Sequence, residues 1–151
     1  MGFRSSFRVV LATLLAPLAL LAGCTAQEPK PKLVPVRVKV FSGKKPAVGA
    51  LVTLHSEAPS LWTPRGVVEA DGMLVPGVAQ GSDGAAPGRY RVTVLWPRGI
   101  ETQPREQQLQ AVFSGDVADR FEGKLADPKT TTLSLTVEPA GGELPPIRLP
   151  E

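Results

Sequence analysis

The chain reads as an all-β protein: a seven-stranded antiparallel β-sandwich with one long loop that can hold a short helix. Three observations carry this expectation. Apolar residues recur with a period of two in several short runs, and turn-forming residues punctuate the joints between them. The chain also holds 16 prolines, which lack a backbone N–H and interrupt helices. At 151 residues it has room for one core of ordinary domain size.

The first segment is set aside from the fold. Residues 1–8 carry Arg4 and Arg8 and no acid, and residues 9–22 (VVLATLLAPLALLA) are uncharged and mostly apolar. That run is shorter than the roughly 20 residues needed to cross a hydrocarbon core, and Pro17 weakens it further as a helix. A basic start followed by a short apolar stretch is the pattern of a secretory signal peptide. The next residues, Leu21-Ala22-Gly23-Cys24, resemble the lipobox of bacterial lipoprotein precursors. The resemblance implies a signal peptide over 1–23 and a diacylglycerol-modified Cys24 as the first mature residue. Acyl chains contribute about 0.8 kcal/mol per buried CH₂, so two or more hold a protein durably on a bilayer. Cys24 is the only cysteine, so no intramolecular disulfide can form. Residue 25 is threonine rather than aspartate, which favours the outer membrane in the best-studied export systems. The expected location is membrane-anchored, on the periplasmic face or the cell surface.

Residues 25–33 (TAQEPKPKL) are polar and contain Pro29 and Pro31. With Cys24 they form the anchor and linker over 24–33, extended at about 3.1 Å per residue. The sandwich domain is expected over 34–150. Val34, Val36, Val38 and Val40 alternate with Pro35, Arg37 and Lys39, which describes a half-buried strand. Gly43-Lys44-Lys45-Pro46 supplies a turn. In the next strand Ala50, Val52 and Leu54 share one face, and Leu51, Thr53 and His55 the other. Asp71-Gly72 stands between Gly66–Ala70 and Met73–Val75, a strong hairpin signal because glycine tolerates positive φ. After the Gly- and Ala-rich stretch from Gln80 to Pro87, Tyr90, Val92, Val94 and Trp96 line one face of the clearest strand. Thr131, Leu133, Leu135 and Val137 form a further alternating run, and Ile147-Arg148-Leu149 can close a sheet edge. Residues 97–130 are too long for a hairpin loop. Within them Pro104 to Phe113 can form a short helix, with Thr102 as its N-cap.

These residues carry a second resemblance. The run from Gly43 to Leu54 (GKKPAVGALVTL) resembles the opening of carboxypeptidase regulatory-like domains, which are transthyretin-like sandwiches. Glu69-Ala70-Asp71-Gly72-Met73-Leu74 and Ala86-Pro87-Gly88-Arg89-Tyr90-Arg91-Val92 follow in that family's order. The C-terminal third, from Phe121-Glu122-Gly123-Lys124-Leu125 through Thr131 to Gly142-Glu143-Leu144-Pro145-Pro146, is similar to small bacterial lipoproteins built from this one domain. In those an aromatic, usually tyrosine, often stands where this chain has Leu125. The match spans about residues 34–149 and implies shape and location better than activity.

The side chains offer little catalytic chemistry. His55 is the only histidine and is expected on a solvent-facing or edge position, although Ser56 stands beside it. Transthyretin-like hydrolases use several histidines and a C-terminal motif, both absent here. One histidine and no free thiol cannot make a standard zinc site. Glu69, Asp71 and Asp83 flank glycines but lack the acid spacing of a calcium loop. No phosphate-cradling glycine pattern precedes a helix. Arg89, Arg91 and Arg98 cluster near one strand, as a solvated face would. Tyr90 and Trp96 are expected in the core, which leaves Trp62, flanked by Ser60-Leu61 and Thr63-Pro64, as the aromatic to test as a ligand contact. Without Arg4 and Arg8 the mature chain has 15 basic and 14 acidic residues, which gives no reason to expect nucleic acid. The expectation is therefore a non-catalytic envelope lipoprotein without cofactor or metal. Its partners would be a membrane, through the lipid, and an envelope protein or polymer. The alternative is a carbohydrate- or small-ligand-binding module built from Trp62 and the 97–130 loop.

Overall fold

The computed structural model describes residues 32–60, 62–78, 82–100, 103–115 and 117–151. The expected signal peptide, with Leu21, Ala22, Gly23, Cys24 and Thr25, the expected linker up to Pro31, and Thr102 lie outside the described residues.

Two sheets face each other across one core. The first holds β1 (Val36–Ser42), β2 (Lys45–Pro46), β5 (Met73–Leu74) and β10 (Gly142–Leu149), with β1 in the middle. The second runs in the order β7 (Ser82–Asp83), β6 (Gly77–Val78), β4 (Arg65–Val67), β3 (Leu51–Ser56), β8 (Gly88–Leu95) and β9 (Ser134–Val137). The period of two reports the inward faces correctly. Val36, Val38 and Val40 from the first sheet, and Val52, Leu54, Tyr90, Val92, Val94, Leu135 and Val137 from the second, are buried in the same cluster. Burying a side chain of this size contributes about 1.5–3 kcal/mol, so the alternation itself drives the two sheets together.

The all-β sandwich is thus present, with ten strand segments among the described residues, several of them two residues long. One pairing departs from the antiparallel rule: β1 and β10, the first and last strands, run parallel. The Ile147-Leu149 segment extends back to Gly142, further than alternation alone indicates, because Pro145 and Pro146 interrupt the apolar pattern. The register shifts by one residue there, from Val38 opposite Leu144 to Val40 opposite Ile147.

The Asp71-Gly72 turn forms as expected, but it does not join two strands of one sheet. Glu69 N–H donates to Met73 O at 2.8 Å, Gly72 N–H to Glu69 O at 2.9 Å, and Met73 N–H to the Asp71 carboxylate at 2.8 Å. The chain enters from β4 in the second sheet and leaves as β5, which pairs with β1 in the first. Leu74 decides this. It is fully buried opposite Val38, and a return beside β4 would deny it the core. A side chain at Gly66 would meet Leu74 Cδ1 and the Val75 carbonyl, each at 2.8 Å, so a residue without one lets the crossing strand pass.

The long connection after β8 is tied to the sheet edge along much of its length. Arg98 N–H donates to Ala118 O, Arg120 N–H to Trp96 O, and Val94 N–H to Leu125 O. Helix α1 (Arg105–Ser114) lies close to the expected span. It begins after Pro104 and receives no side-chain cap there. Gly115 ends it in the left-handed conformation. Arg105 bridges Glu69 at 3.3 Å, and Val112 is the helix's buried residue.

Candidate functional site

Among the described residues, one sheet edge leaves backbone groups of a regular strand unpaired. β9 pairs with β8 on one side only. Val92 N–H donates to Leu133 O at 2.9 Å, and the register continues with Tyr90 opposite Leu135 and Gly88 opposite Val137. Antiparallel ladders alternate, so Leu133, Leu135 and Val137 turn their backbone groups toward β8. The N–H and C=O groups of Ser134 and Thr136 therefore point away from the sheet. No described residue pairs with them. Two residues apart on one strand, they repeat at the spacing of an incoming strand.

Beside this edge runs a groove of about 610 Å³ between β9 and β10. Leu133, Leu135, Leu144 and Ile147 supply its apolar surface, and Glu138 and Glu143 its acidic groups. The turn at Gly141 sets the two strands apart. Gly141 adopts φ +65°, and its N–H donates to Glu138 O, while Gly142 N–H donates to Pro35 O at 2.8 Å. β10 is thereby directed to β1, and β9 remains with β8.

The residues singled out by sequence reach different ends. His55 is half-buried on the outer face of the second sheet, opposite Val52 and Leu54 as expected. Its Nε2 lies 2.9 Å from Thr93 Oγ1, and burial holds its pKa below the ordinary imidazole value. Glu69 is engaged by Arg105, and the Asp71 carboxylate caps its own turn. Among the described residues no three His, Cys, Asp or Glu side chains gather as a metal site. Trp62 is half-buried with its indole N–H enclosed and unpartnered among the described residues, and it lines neither the β9–β10 groove nor the cleft around His55.

Tyr90 enters the core, and its hydroxyl donates to Ala86 O at 2.7 Å, locking the bend into β8. Trp96 is half-buried at the edge of the core instead. Its Nε1–H donates to Val48 O at 2.9 Å, and Arg120 lies over its ring at 4.6 Å. Leu125 is buried in the core, so no hydroxyl is needed at that position. The sequence reading missed the role of Asp119, whose carboxylate accepts from Trp96 N–H and Gly123 N–H, each at 2.9 Å. An aspartate four residues before a glycine was the available signal, but the long-range half of that contact was not.

Comparison with protein-family models, with curated proteins and with solved structures finds no match.

Proposed function

We propose that this chain is a lipid-anchored lipoprotein of the bacterial cell envelope, built on a carboxypeptidase regulatory-like sandwich, and that it works by holding a partner rather than by catalysis. The observation that carries the second half is the β9 edge. A row of outward N–H and C=O groups beside an apolar groove suits an extended polypeptide segment, which can satisfy both the donors and the acceptors. A sugar or small ligand would match the apolar groove but not that repeat. The anchor half rests on Leu21-Ala22-Gly23-Cys24 at the end of the apolar run.

The test is made in the native host on intact cells. The full-length protein is crosslinked, and its covalent neighbours and the mass of its N-terminal peptide are read by mass spectrometry. The expected result is an acylated Cys24 and a reproducible protein partner whose crosslink disappears in Thr136→Lys, a charge set on the free edge. An unmodified Cys24 sinks the anchor reading. A partner retained in Thr136→Lys at wild-type level sinks the edge reading.

A further inference from the structure

On the outer face of the second sheet His55 of β3 stands opposite Arg91 of β8. The turn through Pro128 and Lys129 rises beside them and completes an open cleft of about 610 Å³, whose wall also includes Ser56 and Glu57. Its parts are held in place. Thr93, buried beneath the cleft, pairs with His55 Nε2. The Asp127 carboxylate accepts from Lys129 N–H at 2.8 Å, and the Asp127 carbonyl accepts from Thr130 and Thr131 N–H, so the turn is braced from within. Arg91 Nη1 donates to the Pro128 and Lys129 carbonyls at 3.4 Å each. These are long bonds, and an anion can compete with them for the guanidinium.

The charges around the cleft do not cancel. Glu57 is shared between Arg89 at 3.6 Å and Arg91 at 4.0 Å. Lys129 has no ion-pair partner among the described residues, and its side chain is exposed at the rim. Arg91 and Lys129 line the cleft against one lining carboxylate, Glu57, and the flanking Arg89 is matched by Asp127 of the turn, so the excess is one positive charge before His55 takes a proton. An anion answers that excess, and a phosphate offers oxygens enough for both cations at once. A guanidinium fork and a mobile ammonium are also the two groups that bind phosphate oxygens best.

We propose that this cleft binds a phosphate group, with Lys129 and Arg91 donating to its oxygens and the His55–Thr93 pair forming the wall behind it. Free inorganic phosphate and a lipid headgroup present the same chemistry to this cleft. This site is separate from the β9 edge and does not depend on the partner reading.

Calorimetry on the full chain in nonionic detergent micelles tests it. Inorganic phosphate is titrated first, then dihexanoyl phosphatidic acid in the same micelles. The expected result is saturable binding that weakens with added salt and falls by about tenfold or more in Lys129→Gln and Arg91→Gln, the loss of one charge-assisted contact. Lys129→Gln alters only an exposed side chain, and thermal melts of both variants separate lost binding from lost folding. Saturation by inorganic phosphate supports the proposal with free phosphate as ligand. Saturation by phosphatidic acid alone supports it with a lipid headgroup. No saturable heat with either probe at millimolar concentration overturns it, as does wild-type affinity in Lys129→Gln.

Discussion

β9 and β10 are consecutive strands, joined by one short turn, and each borders a different sheet, yet they treat their free edges in opposite ways. β10 carries Pro145 and Pro146, which cannot donate hydrogen bonds, and a register shift against β1 that breaks the regular repeat. Glu143 and Arg148 add charge to it, and Lys39 lies 3.9 Å from Glu143. These are the devices by which sheets discourage a further strand. β9 has none of them. Its Ser134-Leu135-Thr136-Val137 is regular, uncharged and free of proline. The lesson is that an unguarded edge beside a guarded one points to where a partner would add.

The largest expected effect breaks the separation itself. At Gly141 a Cβ would stand 2.5 Å from the Pro35 carbonyl, in a conformation that L side chains rarely adopt. Gly141→Ala is expected to cost about 2 kcal/mol or more, from the backbone strain and the contact together, read as a fall in the denaturation midpoint. Wild-type stability would show that the turn is not what parts the strands.

Thr136→Pro acts on the edge alone, since residue 136 sends its N–H away from β8. Partner crosslinking should fall about tenfold for the loss of one such bond and its neighbours, with a small change in melting temperature. An equal loss of folding would show instead that Thr136 bonds toward β8. The reverse exchange sharpens the contrast: restoring donors to β10 with Pro145→Thr and Pro146→Thr should produce concentration-dependent association by light scattering. A strictly unchanged particle size would mean that proline is not the guard.

Smaller effects test the neighbourhood. The His55 pKa lies below its ordinary value of 6.5 because burial disfavours the charged ring. The unfolded chain therefore binds the proton more readily. Stability from this group is complete above pH 6.5 and is lost as pH falls toward the lowered folded value. Chemical denaturation across that interval should show a modest decline that His55→Gln removes. Least of all, Lys39→Ala should change stability by less than about 0.5 kcal/mol, because both partners of its pair with Glu143 are exposed.

Much of the fold was legible in the chain. Alternation in Val36–Val40, Val52–Leu54, Tyr90–Val94 and Leu133–Val137 identified the buried faces because one wet face and one dry face leave a period of two in any half-buried strand. The turns at Gly43-Lys44 and Asp71-Gly72 were also legible, since their chemistry is local. The edge was not, because alternation reveals which face a residue occupies but not which side of a strand is paired. The cleft was equally hidden: His55, Arg91 and Lys129 are far apart in the chain and meet only through the β3–β8 register and the turn after Leu125.

By itself, then, the sequence determined an all-β domain, its inward faces and its tight turns, all properties of short stretches of chain. Tertiary structure alone decided that the Asp71-Gly72 turn crosses between sheets, that the first and last strands run parallel, and that β9 is left with an open side. Those outcomes depend on competition among distant segments for the same core and the same strand neighbours, and no local pattern records who wins.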